Sequence, residues 1–401
     1  MISIPEPRKS HEIQESHTVK DASKGKIWWE VVLFVSFFHI MAYISLRYYT
    51  PTVATIKFMV GIIIVGALGI TMGYHRLWSH NSYKASIPVK VALAFAGTLA
   101  FQGSIKWWGL RHRLHHRYTD TKHDPYDATR GFWYSHMGWM FEKQEYNRIK
   151  WIDKSDLDTD PVVQFQHKYY RELVLGLGIV MPTVVGLFLG DTFGGFLYGG
   201  FVARIFIWHF TWFINSLAHS WGEQEYSNEN TSRGNIVLAL LTMGEGHHNF
   251  HHEFPRDYRN GIKPLDWDPT KWLIQFCSFF GGTYDLISVP EAIILKAKVT
   301  TAQEEIDRVS KTLIWSDEAK LPTWTMAEYK IESSQSGSLI LIDGFAIDIS
   351  DFKDQHPGGS SLLTKYVGKD ASKSFYGVLN NHTKSARQMM IDMRVAKVIA
   401  K

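Results

Sequence analysis

The chain has 401 residues, room for two or three domains, and a net charge of only +4, which is no nucleic-acid signature. Its single cysteine, Cys277, excludes an intramolecular disulfide framework and a thiolate cluster, so any bound metal must use nitrogen and oxygen. The aromatic load of 15 Trp, 18 Tyr and 24 Phe suits a membrane interface or an apolar ligand.

In chain order, residues 1–26 are polar and lack the apolar core of a cleavable signal; they read as a disordered cytosolic tail. Two apolar segments follow, from Ile27 to about Tyr48 and from Val53 to about Gly73. Each is close to the ~20 residues that cross a bilayer. The short link at Thr50-Pro51 makes them a helical hairpin. His39 inside the first span reads as a packing residue. The second span runs into His75-Arg-Leu-Trp-Ser-His80, whose i, i+5 spacing is not a one-face α-helical pattern, so the two rings should flank a site from a helix end. The stretch 87–104, with Pro88 and Lys90 at its start, reads as a half-buried or surface helix.

From 106 to 171 the chain is polar, aromatic and basic, and must lie outside the bilayer. Here His112, His115 and His116 stand at i, i+3 and i+4, one face of a helix. A second apolar pair, about 173–189 and 196–217, is joined at Gly190-Asp191-Thr192. Asn215 and His219 share a face at the end of the fourth span. His219 is open to two readings, interfacial residue or ligand, while His209 reads as packing. Lys and Arg crowd the tail and the 74–171 loop, so the positive-inside rule places both termini and that loop in the cytosol. His248, His251 and His252 repeat the HxxHH spacing after Gly244-Glu-Gly. Three histidine clusters on one side of the membrane point to a shared metal site, although imidazole alone does not identify the metal. After a charged linker at 296–320, residues 321–401 form a soluble module. Leu339 to Phe352 alternates as strands, then come His356-Pro-Gly-Gly359 and Phe375-Tyr-Gly-Val-Leu-Asn-Asn-His382.

The three boxes, with Phe254-Pro255 after the third, resemble those of membrane acyl-CoA Δ9 desaturases over about residues 27–290. The resemblance implies an all-α integral membrane protein. Four transmembrane helices would carry a cytosolic helical cap (together 27–295) holding two iron ions. The implied ligands are His75, His80, His112, His115, His116, His219, His248, His251 and His252, with Asn215 close to one metal through water. His247 departs from the family, which often has Phe there, and is expected to be a neighbour and not a ligand. Gln102, Trp108, Thr211 and Trp212 match the family's acyl tunnel, and Lys143 stands where a basic residue meets the coenzyme A phosphates. Leu110 and Arg111 depart from the Arg and Asp common in animal members before the second box.

On the second span, Thr71, Ala67 and Ile63 recede from His75 in steps of four residues, each ~6 Å deeper. The small Ala67 could make room for the chain or only for helix packing. With the resemblance it reads as tunnel wall, and Ile63 as floor.

The C-terminal module resembles a small α+β cytochrome b5 domain, with His356 and His382 matching its axial ligands to haem b. Two axial imidazoles leave iron no open position, so such a haem carries electrons. The module order resembles fungal Δ9 enzymes. The implied activity is insertion of a cis double bond into saturated C16/C18 acyl-CoA with O2 and two electrons. These would come from NADH-cytochrome b5 reductase through the fused domain, at the endoplasmic reticulum membrane with both termini and the active site cytosolic. Membrane lipid is the other partner expected; nucleic acid is not. The runner-up is a di-iron acyl hydroxylase or a desaturase of different regiospecificity.

Overall fold

The computed structural model describes residues 26–377 and 382–399. The tail read at 1–26 therefore lies almost wholly outside the described residues, as do Val378 to Asn381 of the second haem motif. The chain divides into two units, Met1–Glu304 and Glu305–Lys401.

Among the described residues, four helices of the first unit are long and apolar enough to cross a membrane: α1 (Trp29–Tyr48), α2 (Val53–Ser79), α6 (Tyr170–Phe188) and α7 (Thr192–His219). Between α2 and α6 lie α3 (Ile87–Thr98), too short to span, α4 (Ile105–Tyr118) and α5 (Phe132–His136). After α7 come α8 (Ile236–Leu241), α9 (His248–Glu253), α10 (Pro269–Ser278) and α11 (Glu291–Ser310). Helix α11 takes up much of the stretch read as linker. A two-residue ladder pairs β1 (Lys84–Ala85) with β2 (Thr283–Tyr284).

Large apolar side chains such as Phe37, Ile40 and Leu46 are exposed on α1, as a lipid-facing helix requires. The two hairpins are clasped at one end by Asp191. It accepts hydrogen bonds from the Thr52 and Gly194 amides at 2.9 Å each, from the Thr55 hydroxyl at 2.7 Å and from the Tyr49 hydroxyl. Deeper in, the buried Arg204 of α7 donates to the Gly199 carbonyl at 2.6 Å and to the Gly178 carbonyl of α6 at 2.9 Å, while its Nε has no partner. Helices α2 and α3 meet backbone to backbone: a Cβ on Gly69 would lie 2.1 Å from the Gly97 nitrogen.

His39 and His209 are more than packing residues. Their Nε2 atoms lie 3.1 Å apart, and His209 Nδ1 is 3.0 Å from His136 Nε2, so a line of imidazoles ties α5 to α1 and α7.

From Gly69 to Ser79 the C-terminal 11 of the 27 residues of α2 are wound as a π-helix, and the His80 amide continues that pattern by bonding the His75 carbonyl at 3.1 Å. This overturns the expectation that an i, i+5 pair only flanks a site. In a helix bonded i to i+5, residues five apart fall on one face. The His75 and His80 rings are 4.8 Å apart.

In the second unit, β3 (Thr323–Thr325), β4 (Leu339–Ile342), β5 (Phe345–Asp348) and β6 (Arg394–Ile399) form one sheet in the order β3-β6-β5-β4. The β4–β5 hairpin turns at Asp343 and Gly344, both at positive φ (51° and 77°), the twist a two-residue hairpin prefers. Helix α12 (Met326–Ser336) starts with a Thr325–Glu328 capping box. It packs through Tyr329 on one set of sheet residues. Helices α13 (Ser360–Thr364), α14 (Ser372–Phe375) and α15 (Lys384–Asp392) complete the unit.

Candidate di-metal centre

Nine histidines converge in two groups: His75, His80, His112, His116 and His251, and His115, His219, His248 and His252. Within each group one nitrogen per ring lies within 4.8 Å of all the others. The two HxxHH helices, α4 and α9, share out their rings in the same way. Residues i and i+4 differ by ~40° around a helix, whereas i+3 sits ~60° to the other side of i. Accordingly α4 sends His112 and His116 to the first group and His115 to the second. Helix α9 sends His248 and His252 to the second and His251 to the first. The shared face expected from spacing is thus split between two sites.

The Nε2 atoms approach closely, at 2.8 Å for His80–His112, 3.0 Å for His75–His251 and 3.0 Å for His219–His248. On three of the rings the outer nitrogen is held by another group, whereas His248 Nδ1 has no partner. His75 Nδ1 is 2.8 Å from Glu245, His115 Nδ1 is 2.9 Å from both oxygens of Asp124, and His219 Nδ1 is 2.8 Å from the Thr231 hydroxyl, which donates to Asp120 at 2.7 Å. A ring that donates Nδ1–H to a carboxylate presents a lone pair at Nε2. His75 and His115 therefore aim lone pairs at other imidazoles, an arrangement that a cation between them satisfies. Burial, reinforced by the neighbouring imidazoles, pushes His80, His112, His116, His248, His251 and His252 well below the ordinary histidine range, so they remain neutral ligands at neutral pH. The donor set fits two borderline metal ions held by imidazole, as an iron pair would be.

Glu245, Asp124, Thr231 and Asp120 were not expected as site residues. Glu245 stands inside the Gly-Glu-Gly stretch, but nothing in its spacing ties it to a residue 170 positions earlier. Burial alone would raise its carboxyl. Arg76 and His75 hold it down at about 2, and Arg76 also donates to Asp268.

A family profile described as fatty acid desaturase matches residues 52–264, and one described as cytochrome b5-like heme/steroid binding domain matches 325–399. The chain belongs to the fatty acid desaturase family. It is 40% identical to acyl-CoA desaturase 1 of Saccharomyces cerevisiae, over 97% of this chain and 77% of the relative. It is 43% identical to a probable acyl-CoA desaturase of Schizosaccharomyces pombe, over 82% and 69%. Against stearoyl-CoA desaturase 5 of Bos taurus the figures are 37%, 69% and 84%. The family's di-iron centre accords with the two histidine groups.

A narrow cavity runs from these groups between α2 and α7. His75, His112 and Glu245 line one end, with Trp108, Thr211 and Asn215; Ala67 and Ile207 lie farthest along the two spans. Trp108 stacks on His112 at 4.8 Å, and Gln102 donates to Thr211 at 2.8 Å. Four residues expected on the substrate path do not line the cavity, Gln102 reaching it only through its bond to Thr211. Trp212 is buried against Trp208 and His39, on the face of α7 turned to α1. Ile63 is absent from the wall, because Gly66 brings α2 against Ile207, where a Cβ would lie 2.8 Å from Cδ1. Lys143 is exposed and does not line the cavity. His247 joins neither group.

In the second unit the His356 and His382 rings face each other at 6.4 Å. That separation accommodates one metal bonded at ~2 Å to each ring. The Phe375 carbonyl is 2.8 Å from His382 Nδ1, which leaves Nε2 as the free donor atom. Gly359, at φ 89°, makes the turn into α13 after His356. This pair and the cytochrome b5 match fit an axial haem site.

Proposed function

We propose that the chain is an acyl-CoA Δ9 desaturase that inserts a cis double bond into saturated C16/C18 acyl-CoA. The reaction removes one hydrogen from each of two adjacent methylenes and, with O2, two electrons and two protons, yields two waters. The observation that carries the proposal is the mainly apolar cavity whose wall includes His75 and His112 and, farther along the two spans, Ala67 and Ile207. It is supported by relatives named as acyl-CoA and stearoyl-CoA desaturases.

In this reading residues 27–295 are the catalytic domain, 296–320 the linker and 321–401 the haem domain. The nine histidines would hold two irons, and Asn215, which lines the same cavity, would stand near one of them. Bound iron would supply the oxidising power that an unactivated methylene demands. Glu245 and Asp124 fix the tautomer and direction of His75 and His115. The Gln102–Thr211 bond and Trp108 shape the path past the rings, and Ala67 and Ile207 bound its depth. His356 and His382 would hold haem b, which would supply one-electron transfer from NADH-cytochrome b5 reductase. Lys143 stays a candidate contact to the coenzyme A phosphates. The excess of Lys and Arg in the 74–171 loop supports a cytosolic site, and the membrane would be that of the endoplasmic reticulum.

Fatty-acid profiling of a desaturase-deficient cell expressing this chain tests the assignment. Δ9 monoenes should appear from C16 and C18 precursors. A hydroxy acid, or a double bond at another carbon, would overturn it.

A further inference from the structure

Helix α10 and the turn after it carry an apolar ridge that nothing in the first unit covers. Trp272, Phe276, Phe279 and Phe280 stand at i, i+4, i+7 and i+8, one stripe of a helix. The three phenylalanines are 58%, 82% and 76% exposed, and the Phe276 and Phe280 rings meet at 5.2 Å. The opposite face is the one that packs, with Thr270, Lys271 and Ile274 buried. From Pro269 to Tyr284 the only charged side chain is Lys271. It points inward and donates to the Gly261 and Lys263 carbonyls at 2.8 and 2.7 Å. The helix hides its charge and shows its aromatics, the reverse of a helix whose outer face meets water.

Its neighbours set its height. Helix α2 begins at the Asp191 clasp, and Thr71 stands ~27 Å along its axis from Val53, close to the ~30 Å of a bilayer's hydrocarbon core. The Thr270 hydroxyl, at the start of α10, is 2.7 Å from that of Thr71. The turn after α10 lies against the first turn of α3. The Gly282 carbonyl accepts from the Ser86 amide at 2.9 Å, and a Cβ on Gly282 would lie 3.1 Å from Val89. From there α3 runs with Ile87, Val91 and Phe95 exposed and ends among the spans. The Ala100 carbonyl accepts from Trp208 of α7 at 2.8 Å, and a Cβ on Gly178 of α6 would fall on the Phe101 ring. Both ends of α10 therefore sit where α2 leaves the hydrocarbon and α3 enters it.

We propose that the ridge of α10 lies in the bilayer, with Phe276, Phe279 and Phe280 below the headgroups and phospholipid acyl chains as its partner. An apolar helix face lying in the membrane plane sinks ~5–10 Å into the headgroup–acyl boundary, the layer where aromatic side chains gather. The ridge is continuous with the lipid-facing side of α3, and its lack of charge suits lipid and not an ion-paired protein surface.

The test uses the metal- and haem-loaded full chain in phosphatidylcholine nanodiscs. Cys277→Ser removes the only native thiol, and Phe276→Cys, Phe279→Cys or Phe280→Cys then carries one bimane label. Ile40→Cys on α1 and Lys122→Cys, exposed just beyond the C-terminal end of α4, are the lipid and water standards. Phospholipid brominated high on its acyl chains should quench the three labels as strongly as the one at residue 40, and aqueous iodide should quench them as little. Quenching like that at residue 122 would overturn the proposal. So would protection from both quenchers, which a second copy of the chain seated on the ridge would give. A label at residue 40 that lipid bromine does not reach would overturn the four spans as well. Metal and haem content check that each variant folds. On the unsubstituted chain, a phosphatidylcholine with a diazirine in its acyl chain should leave adducts on the 272–280 peptide after irradiation. Adducts on the spans with none on that peptide would overturn the proposal whatever the variants do.

Discussion

At the scale of single residues, the identity of the histidines was legible in sequence but their partition was not. The HxxHH spacing places three rings on a broad face. Only the angle between i+3 and i+4, set against a second helix doing the same, divides them between two groups. The carboxylates behind the rings were not legible at all, since Asp124–His115 and Glu245–His75 depend on how loops and helices meet. They make a direct prediction. Asp124→Asn replaces a bidentate acceptor at His115 Nδ1 by an amide that can also donate, which weakens control of the tautomer. Metal affinity should fall by about 10–100-fold. Metal content after dialysis against a graded chelator series checks this, and haem absorbance should not change.

At the scale of elements, the four spans could be read from hydropathy because a bilayer imposes length and apolarity on any helix that crosses it. The π-helical winding of α2 could not, because its sequence is compatible with an α-helix until Gly69 meets Gly97 and His75 must face the rings of α4. Two predictions belong here. Ala67 and Ile207 are the deepest cavity residues along their spans, so Ala67→Tyr should shift preference toward shorter acyl chains while metal and haem content stay unchanged. An equal loss of activity on every chain length would make Ala67 a packing residue.

The second concerns Asp191, where burial alone would raise the carboxyl. The bonds from Tyr49, Thr52, Thr55 and Gly194 instead hold it at about 2, below its ordinary 3.8. A depressed carboxylate stabilises the fold above its unfolded value, and that contribution fades as pH falls from 3.8 through about 2. Asp191→Asn should therefore lower the melting temperature at neutral pH, and the gap from the parent should narrow across that acid window. A gap that is constant with pH would assign the clasp's effect to the hydrogen bonds of the site irrespective of charge.

At the scale of the whole molecule, the chain joins a unit that consumes electrons to a unit built to carry them. The nine imidazoles are nitrogen ligands of the kind that hold redox metals, and the His356–His382 pair would leave a bound haem no position for oxygen. Electron supply is therefore the function that separates the two. His382→Ala removes the ring whose Nδ1 is held by the Phe375 carbonyl, and His356→Ala removes its opposite number. Either change should abolish the haem absorbance and at least nine-tenths of NADH-driven turnover, on the order of the tenfold that 1.4 kcal/mol represents. Metal content of the histidine groups should stay at its parental level. Adding separate soluble cytochrome b5 with its reductase to the variant then discriminates between two causes. Restored desaturation places the defect in electron delivery alone, and the fused unit is the chain's own donor. Full turnover by the variant without any added carrier would show that electrons reach the metals by another route, and the His356–His382 pair would lose its assigned part in the reaction.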